Sequence, residues 1–561
     1  KKTSTKKTKH NKINHVEISE ITSKKIREPA VRLEDLKPKD LEEGYPSNYP
    51  YTARKLLEAI PGIFNWFMIL SPIIFSLTGL QNIIIYYIAL LTMYWTLSGL
   101  KFSSGIVIGY RRMLRDVSTD WMEKIMSNPS LRKKYEKQKY VYICPVVKED
   151  YDLLDKSLKS YRDSDIDSKK ISVIFAMEEK FKDFQIDNFE RLSEKYKNDF
   201  REIIYYVHPA DIPGEVSGVK GANINWSTRN FVKRIKQRNE NLEDYLLITP
   251  DSDQRVHPKY LSAITYKYYT TKNRMRKFFC TAVHTFNNNI WNVPIIIRTQ
   301  STMLTLGRLQ EWVWSSDLET FSSYIVNLKT VDEVGYWLPD VGIDDTTFYW
   351  NAIIRFDGKF WGEEVYIPTY NDAVENETYV KTHKSLYKQQ LRWGWGVKVF
   401  PTTVAHFTKK KSIPLTRKIK LIYKQFFGAH FILFTALFLI SFALPILRLL
   451  SPEYNYSSYA YNLPRIMSYI LTGMLLLNFP IIFIKRKLSP PPPRTNILRN
   501  IVDIVEIAMI TVSFLTFSFI PYMQAYTEMM FGKGLRRNFY ATEKVKIKRW
   551  KHFKKKENNL N

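Results

Sequence analysis

Two carboxylates one residue apart, Asp251 and Asp253, follow directly on the apolar run YLLITP. At the end of a strand, such a pair can share a hard divalent cation, which prefers oxygen ligands. A cation held there would neutralise a diphosphate and stabilise it as a leaving group. A second acidic pair, Asp344 and Asp345, closes the segment Asp340-Val341-Gly342-Ile343-Asp344-Asp345, just ahead of the aromatic helical pattern TTFYWNAII. Acids at a helix start serve as caps favoured by the macrodipole. The alternative chemistry is that of a general base, for which an Asp must sit within hydrogen-bond reach of a hydroxyl that acidifies as its oxygen reacts. Lys220-Gly221-Ala222-Asn223 follows the turn-rich HPADIPGE and suits either a phosphate or sugar contact or a solvated turn. Gln389-Gln390-Leu391-Arg392-Trp393 offers a guanidinium fork for phosphate oxygens and an indole face for a sugar. An Arg and a Trp at a membrane interface would look the same.

The segments that must carry these residues alternate in type. Short β-branched runs (YVYICPVV, ISVIFAM, REIIYYV, YLLITPD) are separated by stretches of helical period from about Tyr140 onward. That alternation predicts a mostly parallel α/β sheet, whose ligands sit beyond the carboxyl ends of its strands. Acids fall at those ends: Glu149, Glu178, Glu179, Asp251 and Asp253.

Flanking this region, the 561-residue chain is apolar and basic. Its 84 Lys and Arg against 55 Asp and Glu give +29, a charge that suits a nucleic-acid binder, yet the excess gathers beside apolar stretches, where anionic lipid accounts for it. Uncharged runs from Ile60 to Leu80 and on to about Leu100 predict a transmembrane hairpin, with a helix starting at Pro61 and a kink at Pro72. Arg111, Arg112 and Arg115 place its flanks in the cytosol. The predicted organisation is a basic disordered tail (1–50), a transmembrane hairpin (51–110), a cytosolic catalytic domain (137–400) and amphipathic interfacial helices (401–430). A C-terminal transmembrane bundle (431–531) and a basic cytosolic tail (532–561) follow. Three spans are expected in the bundle, Phe431–Leu450, Ile466–Ile484 and Ile501–Ile520. Their parity would leave the basic C-terminus outside, unless Ile501–Phe531, broken at Pro521, is a split element returning to the cytosol. The chain shows no internal repeat. Cys144 and Cys280 lie in apolar strand runs and are expected to be reduced and buried.

Taken in order, these motifs resemble the processive, membrane-integrated family 2 glycosyltransferases, the group of cellulose, hyaluronan and chitin-type synthases, in a bacterial branch. The segments that carry the resemblance are HPADIPGEVSGVKGAN, TPDSDQRVHP, NNNIWNVPIIIR, VGYWLPDVGIDD, THKSLYKQQLRWGWG and the closing ATEK at 541–544. It implies a GT-A domain between transmembrane helices, in a multi-pass protein of the plasma (inner) membrane with its catalytic domain in the cytosol. The implied activity is an inverting hexosyltransferase that takes a sugar from a nucleotide diphosphate, by resemblance a UDP-sugar, to a glycan acceptor. The product would be elongated and exported through the membrane helices. By position, Asp251 and Asp253 would hold Mg2+ or Mn2+, and Asp251 the donor diphosphate as well. Asp345 would be the base, with Asp344 where the family usually has Glu. Lys220 would contact the donor, and Glu149 would lie near the nucleotide. Gln389, Arg392 and Trp393 would bind diphosphate and acceptor. The family's early uridine-binding Asp has no counterpart, and Glu178 or Glu179 stands in its place. A single transfer to a lipid-linked or glycan acceptor is the alternative within this class. Against a basic membrane scaffold or transporter, the non-enzyme alternative, the apolar spans lack the buried charges expected of an ion pathway, apart from Asp503 and Glu506 near one end. The expected partners are the nucleotide sugar, the acceptor and an anionic bilayer, without nucleic acid; a partner subunit is left open.

Overall fold

The computed structural model describes the chain except residues 1–43, 213–214, 216–217, 340–342, 425–427, 429, 431, 476–477, 492–504, 507–508 and 534–561. Most of the basic tail at 1–50, nearly all of that at 532–561, ATEK, Asp340, Asp503 and the later part of Pro490–Pro493 therefore lie outside the described residues.

The described residues form ten strands: β1 (Lys139–Val146), β2 (Ile171–Glu178), β3 (Glu202–His208), β4 (Tyr245–Thr249), β5 (Arg255–Val256), β6 (Lys277–Thr281), β7 (His284–Thr285), β8 (Tyr324–Asn327), β9 (Trp361–Val365) and β10 (Thr369–Tyr370). Seven form one sheet in the order β3-β2-β1-β4-β8-β6-β9. The expected mostly parallel α/β sheet is observed: β3, β2, β1 and β4 run parallel, as do β6 and β9, while β8 runs antiparallel to both neighbours. Alternation along β1 sends Val141 and Ile143 into one core layer and Tyr140, Tyr142 and Cys144 into the other. Both cysteines are buried, and neither is in a disulfide among the described residues. A small second sheet, β5-β10-β7, begins two residues beyond Asp253.

The first long helix runs Tyr51–Leu77, so Pro61 lies inside it rather than at its start. Packing explains why the helix continues: its Gly62 face is pressed against a helix spanning Ile520–Met530, where a β-carbon would meet Met530 Cβ and the Tyr526 carbonyl at 2.8 Å. The chain turns through Gly79, at φ +72°, into a second helix, Gln81–Ser118. These two helices are long and apolar enough to cross a membrane. The first is also inside out by the standard of a water-soluble helix: it buries Arg54, Glu58, Asn65, Ser71 and Ser76 while exposing Leu56, Ile63, Phe67, Leu70, Ile74 and Leu77.

The second helix anchors the domain. Ile106 joins the sheet's core, and Gly105 and Gly109 allow close contact with a helix at Ile295–Trp314, where β-carbons would meet Trp314 Nε1 at 2.6 Å and the Leu309 carbonyl at 2.7 Å. Near its end, buried Asp116 accepts from the Tyr366 backbone N–H at 3.0 Å. Helices at Ile432–Leu450 and Ser458–Leu475 pack on its N-terminal half through Leu439, Ala443, Leu447 and Met467. The stretch read as one span, Ile466–Ile484, extends from the latter helix into a separate one, Asn478–Leu488. Of Ile501–Ile520 the described part ends in a π-helical turn, Leu515–Phe519, leading into Ile520–Met530 with Pro521 in its first turn. In the basic helix Leu415–Tyr423, Arg417 grips Asp317 with both terminal nitrogens at 2.8 Å and Lys420 adds a third contact at 2.8 Å, so these two charges face the domain.

Candidate active site

Three of the expected carboxylates converge on the ammonium of a fourth expected residue, Lys220. Lys220 is the first residue of the helix Lys220–Gln237, where a positive charge opposes the macrodipole. Three carboxylates offset that cost: Lys220 Nζ lies 2.9 Å from Asp251 Oδ1, 3.8 Å from Asp345 Oδ1 and 4.0 Å from Asp344 Oδ2. Asn223, one turn on, donates to the Ala176 carbonyl at 2.8 Å and ties this helix to β2. Asp344 and Asp345 open the helix Asp344–Arg355, where negative charge is favoured. The lysine turn, the Asp251–Ser252–Asp253 turn after β4 and the acidic pair thus enclose one space beyond the strand ends.

The bracket across this space is the loop Thr320–Ser323, which reading the sequence did not single out. The Ser322 hydroxyl donates to Asp251 Oδ2 and its backbone N–H to Asp345 Oδ2 at 3.0 Å, while its carbonyl accepts from Lys220 at 3.1 Å. Ser322 does this from a left-handed backbone, φ +50°. Next to it, Phe321 meets Trp393 edge to face at 6.5 Å, bringing the helix Tyr379–Gly394, with Gln389 and Arg392, to the same loop.

The remaining candidates divide. Glu149, beyond β1, accepts from Ser252 Oγ at 3.1 Å and from the Val147 N–H at 2.5 Å, so it braces the acidic turn. Asp253 Oδ2 accepts from the Asp372 N–H at 2.7 Å, just past β10. Glu178 is buried at the end of β2 against His208 Nδ1 at 3.1 Å, and His208 Nε2 contacts Glu215 at 2.8 Å. Burial alone would lower the His208 pKa, but the two carboxylates outweigh it and hold it at about 9. Glu179 is exposed and accepts from the Ala210 N–H at 2.8 Å. Neither Glu178 nor Glu179 is tied by these bonds to the Lys220 cluster.

The electrostatics follow from this enclosure. Burial works against the charge on Lys220, yet Asp251, Asp345 and Asp344 hold it protonated well beyond its usual range. Burial above all pushes Asp345 well above the usual carboxylate range; Asp344 and Asp251 add to this and Lys220 opposes it. Among the described residues no cluster of three His, Cys, Asp or Glu side chains could hold a metal. Two carboxylates on one turn, with the Asp251 side chain 36% exposed, do fit a Mg2+ or Mn2+ whose other ligands are phosphate oxygens and water.

No protein-family model matches the sequence, nor does any curated protein. Among solved structures, a mannosyltransferase from Pyrobaculum calidifontis in complex with GDP-Man and Mn2+ aligns at 12% identity over 75% of this chain and 98% of its own, with a TM-score of 0.38. S. aureus TarS 1-349 in complex with UDP-GlcNAc aligns at 11% identity over 71% of this chain and 93% of its own, with a TM-score of 0.31. GalNAc-T7 with UDP, GalNAc and Mn2+ aligns at 7% identity over 52% and 58%, with a TM-score of 0.31. At these scores the functional reading stands on the site's own side chains.

Proposed function

We propose that this chain is a membrane-embedded, inverting GT-A-type glycosyltransferase that moves a sugar from a nucleotide diphosphate, in the first instance UDP, onto a growing glycan and passes the product through its membrane helices. The observation that carries the reading is the state of Asp345. One carboxylate oxygen, Oδ2, is fixed by the Ser322 N–H, while Oδ1 is buried with no hydrogen-bond donor among the described residues and lies 3.8 Å from Lys220 Nζ. That is the arrangement a general base requires, one oxygen positioned and the other able to take a proton.

In this reading the acceptor hydroxyl gives its proton to Asp345 Oδ1 as its oxygen bonds to the anomeric carbon. The bond from that carbon to the diphosphate breaks on the opposite face. A divalent cation at Asp251 and Asp253, when bound, supplies positive charge to the departing diphosphate. Lys220 adds a fixed charge on the same side, and Arg392 a guanidinium fork for phosphate oxygens. Trp393, standing on Phe321, gives the sugar an aromatic face. Membrane embedding is supported by the two long apolar helices and by the polar-in, apolar-out burial of Tyr51–Leu77.

The test is nucleotide diphosphate release by purified, detergent-solubilised protein across UDP- and GDP-sugars with Mn2+ or Mg2+. Turnover with one donor, abolished by chelator, is expected, and product length then separates elongation from single transfer. Neither turnover nor donor binding across the panel, with folded protein, would overturn the reading.

A further inference from the structure

Outside the residues used so far, one buried histidine sits on the small sheet beside the same turn. His284 is the first residue of β7, in the apolar run FFCTAVHT, and is 6% exposed. Its strand pairs in parallel with β10, and β10 pairs with β5 just past Asp253. The residue after Asn371, Asp372, donates its N–H to Asp253. The imidazole is therefore mounted on the small sheet that holds the acidic turn, and it lies in the electrostatic field of both Asp251 and Asp253.

The hydrogen bonds on one side of the ring fix its tautomer. The Thr285 carbonyl accepts from the Asn371 backbone N–H at 2.8 Å and from the Asn371 Nδ2 at 3.2 Å. The reverse orientation of that amide would set its oxygen against the carbonyl. The same Nδ2 lies 3.2 Å from His284 Nδ1, so Nδ1 is an acceptor. A neutral imidazole carries one N–H, which must then be on Nε2. Burial lowers the pKa of His284 to about 4 despite the two aspartates, so the ring is neutral at physiological pH. Phe286 at 5.3 Å and Phe321 at 5.4 Å clamp it edge to face. Among the described residues the ring's hydrogen bonds all go to Nδ1, which leaves the Nε2–H for an acceptor from outside the protein.

We propose that His284 donates its Nε2–H to a phosphate oxygen of the nucleotide diphosphate bound at Asp251–Ser252–Asp253. The proposal rests on the nucleotide-sugar reading above. A neutral donor recognises the phosphate without adding a second permanent cation beside Lys220, so that the product diphosphate is less tightly retained than it would be by a charged group. Together with Phe321, whose ring touches both His284 and Trp393, the imidazole links the phosphate end of the site to its sugar-facing wall.

The test is calorimetric titration of the full-length solubilised protein with UDP and with uridine in Mg2+, comparing wild type, His284→Gln and His284→Met. Gln keeps an N–H near the Nε2 position; Met keeps the volume only. The expected result is a loss of about tenfold or more in UDP affinity for Met, recovery to within about threefold in Gln, and unchanged uridine affinity throughout. Unchanged UDP affinity in Met, or an equal loss of UDP and uridine affinity, overturns the assignment and leaves a packing histidine. Should the Met variant fail to fold, 15N-histidine spectra of wild type decide: UDP must shift a neutral Nε2–H resonance that uridine leaves in place, and no shift overturns the assignment. Failure of wild type to bind UDP, GDP or their sugars defeats the underlying reading itself, a result distinct from loss of the His284 effect alone.

Discussion

Ser322 holds two of the proposed functional carboxylates from a strained backbone, so its replacements separate chemistry from stability. Ser322→Ala removes the hydroxyl donated to Asp251 but leaves the N–H to Asp345 and the left-handed φ of +50°. A hydrogen bond to a charged group contributes about 2 kcal/mol, which corresponds to about 30-fold in turnover if the positioning of Asp251 is what is lost. Ser322→Gly removes the same hydroxyl but releases the left-handed strain, worth about 1 kcal/mol. The Gly variant is therefore expected to be about 1 kcal/mol more stable than the Ala variant, with equally low activity. Thermal unfolding and nucleotide diphosphate release on the same preparations measure both quantities. Ala turnover within twofold of wild type, or a Gly variant less stable than Ala, would refute the bridging role.

Other outcomes follow from the same packing. His208, with its side chain 1% exposed and its pKa raised to about 9, should contribute about 3 kcal/mol that is fully present below its unfolded value near 6.5 and lost as the pH rises through 9. Thermal midpoints from pH 6 to 10 should fall in wild type and stay flatter in His208→Gln; parallel curves would contradict this. Asp317, held down at about 2 by Arg417 and Lys420 against the cost of burial, contributes stability present above about 3.8 and lost as the pH falls through 2. Asp317→Asn at pH 7 should accordingly cost about 2 kcal/mol in an unfolding titration. A β-carbon at Gly394 would meet Tyr522 Cα at 3.0 Å and Ala525 Cβ at 3.1 Å, so Gly394→Val should destabilise by about 2 kcal/mol and loosen the Ile520–Met530 helix, read as faster proteolysis there.

The four parallel strands were legible because each is a β-branched run between polar helical stretches, and YLLITP placed Asp251 correctly at a strand end. The acidic pair and Lys220 were legible as motifs, and the structure brings them within 4.0 Å of one another through a single ammonium. Other features left little trace. β5, β7 and β10 are two residues long, too short for any alternation to appear. Ser322 lies in a Ser-Ser pair of ordinary loop composition, and nothing in its side chain marks a positive φ. The Glu178–His208 contact depends on the register of β2 against β3, which pairs these two residues directly. Pro61 suggested a helix start because proline favours that position. Here the tight contact at Gly62 keeps the helix intact around it.

The most direct test of the central claim is to compare wild type with Asp345→Asn for both donor binding and turnover. The account predicts that Asn, which keeps the oxygen facing the Ser322 N–H but cannot take a proton, binds the nucleotide sugar within a few-fold of wild type and loses about 10²–10⁴ in turnover. Turnover near that of wild type would contradict the assignment of Asp345 as the base. Loss of binding in step with turnover would make it a structural member of the Lys220 cluster.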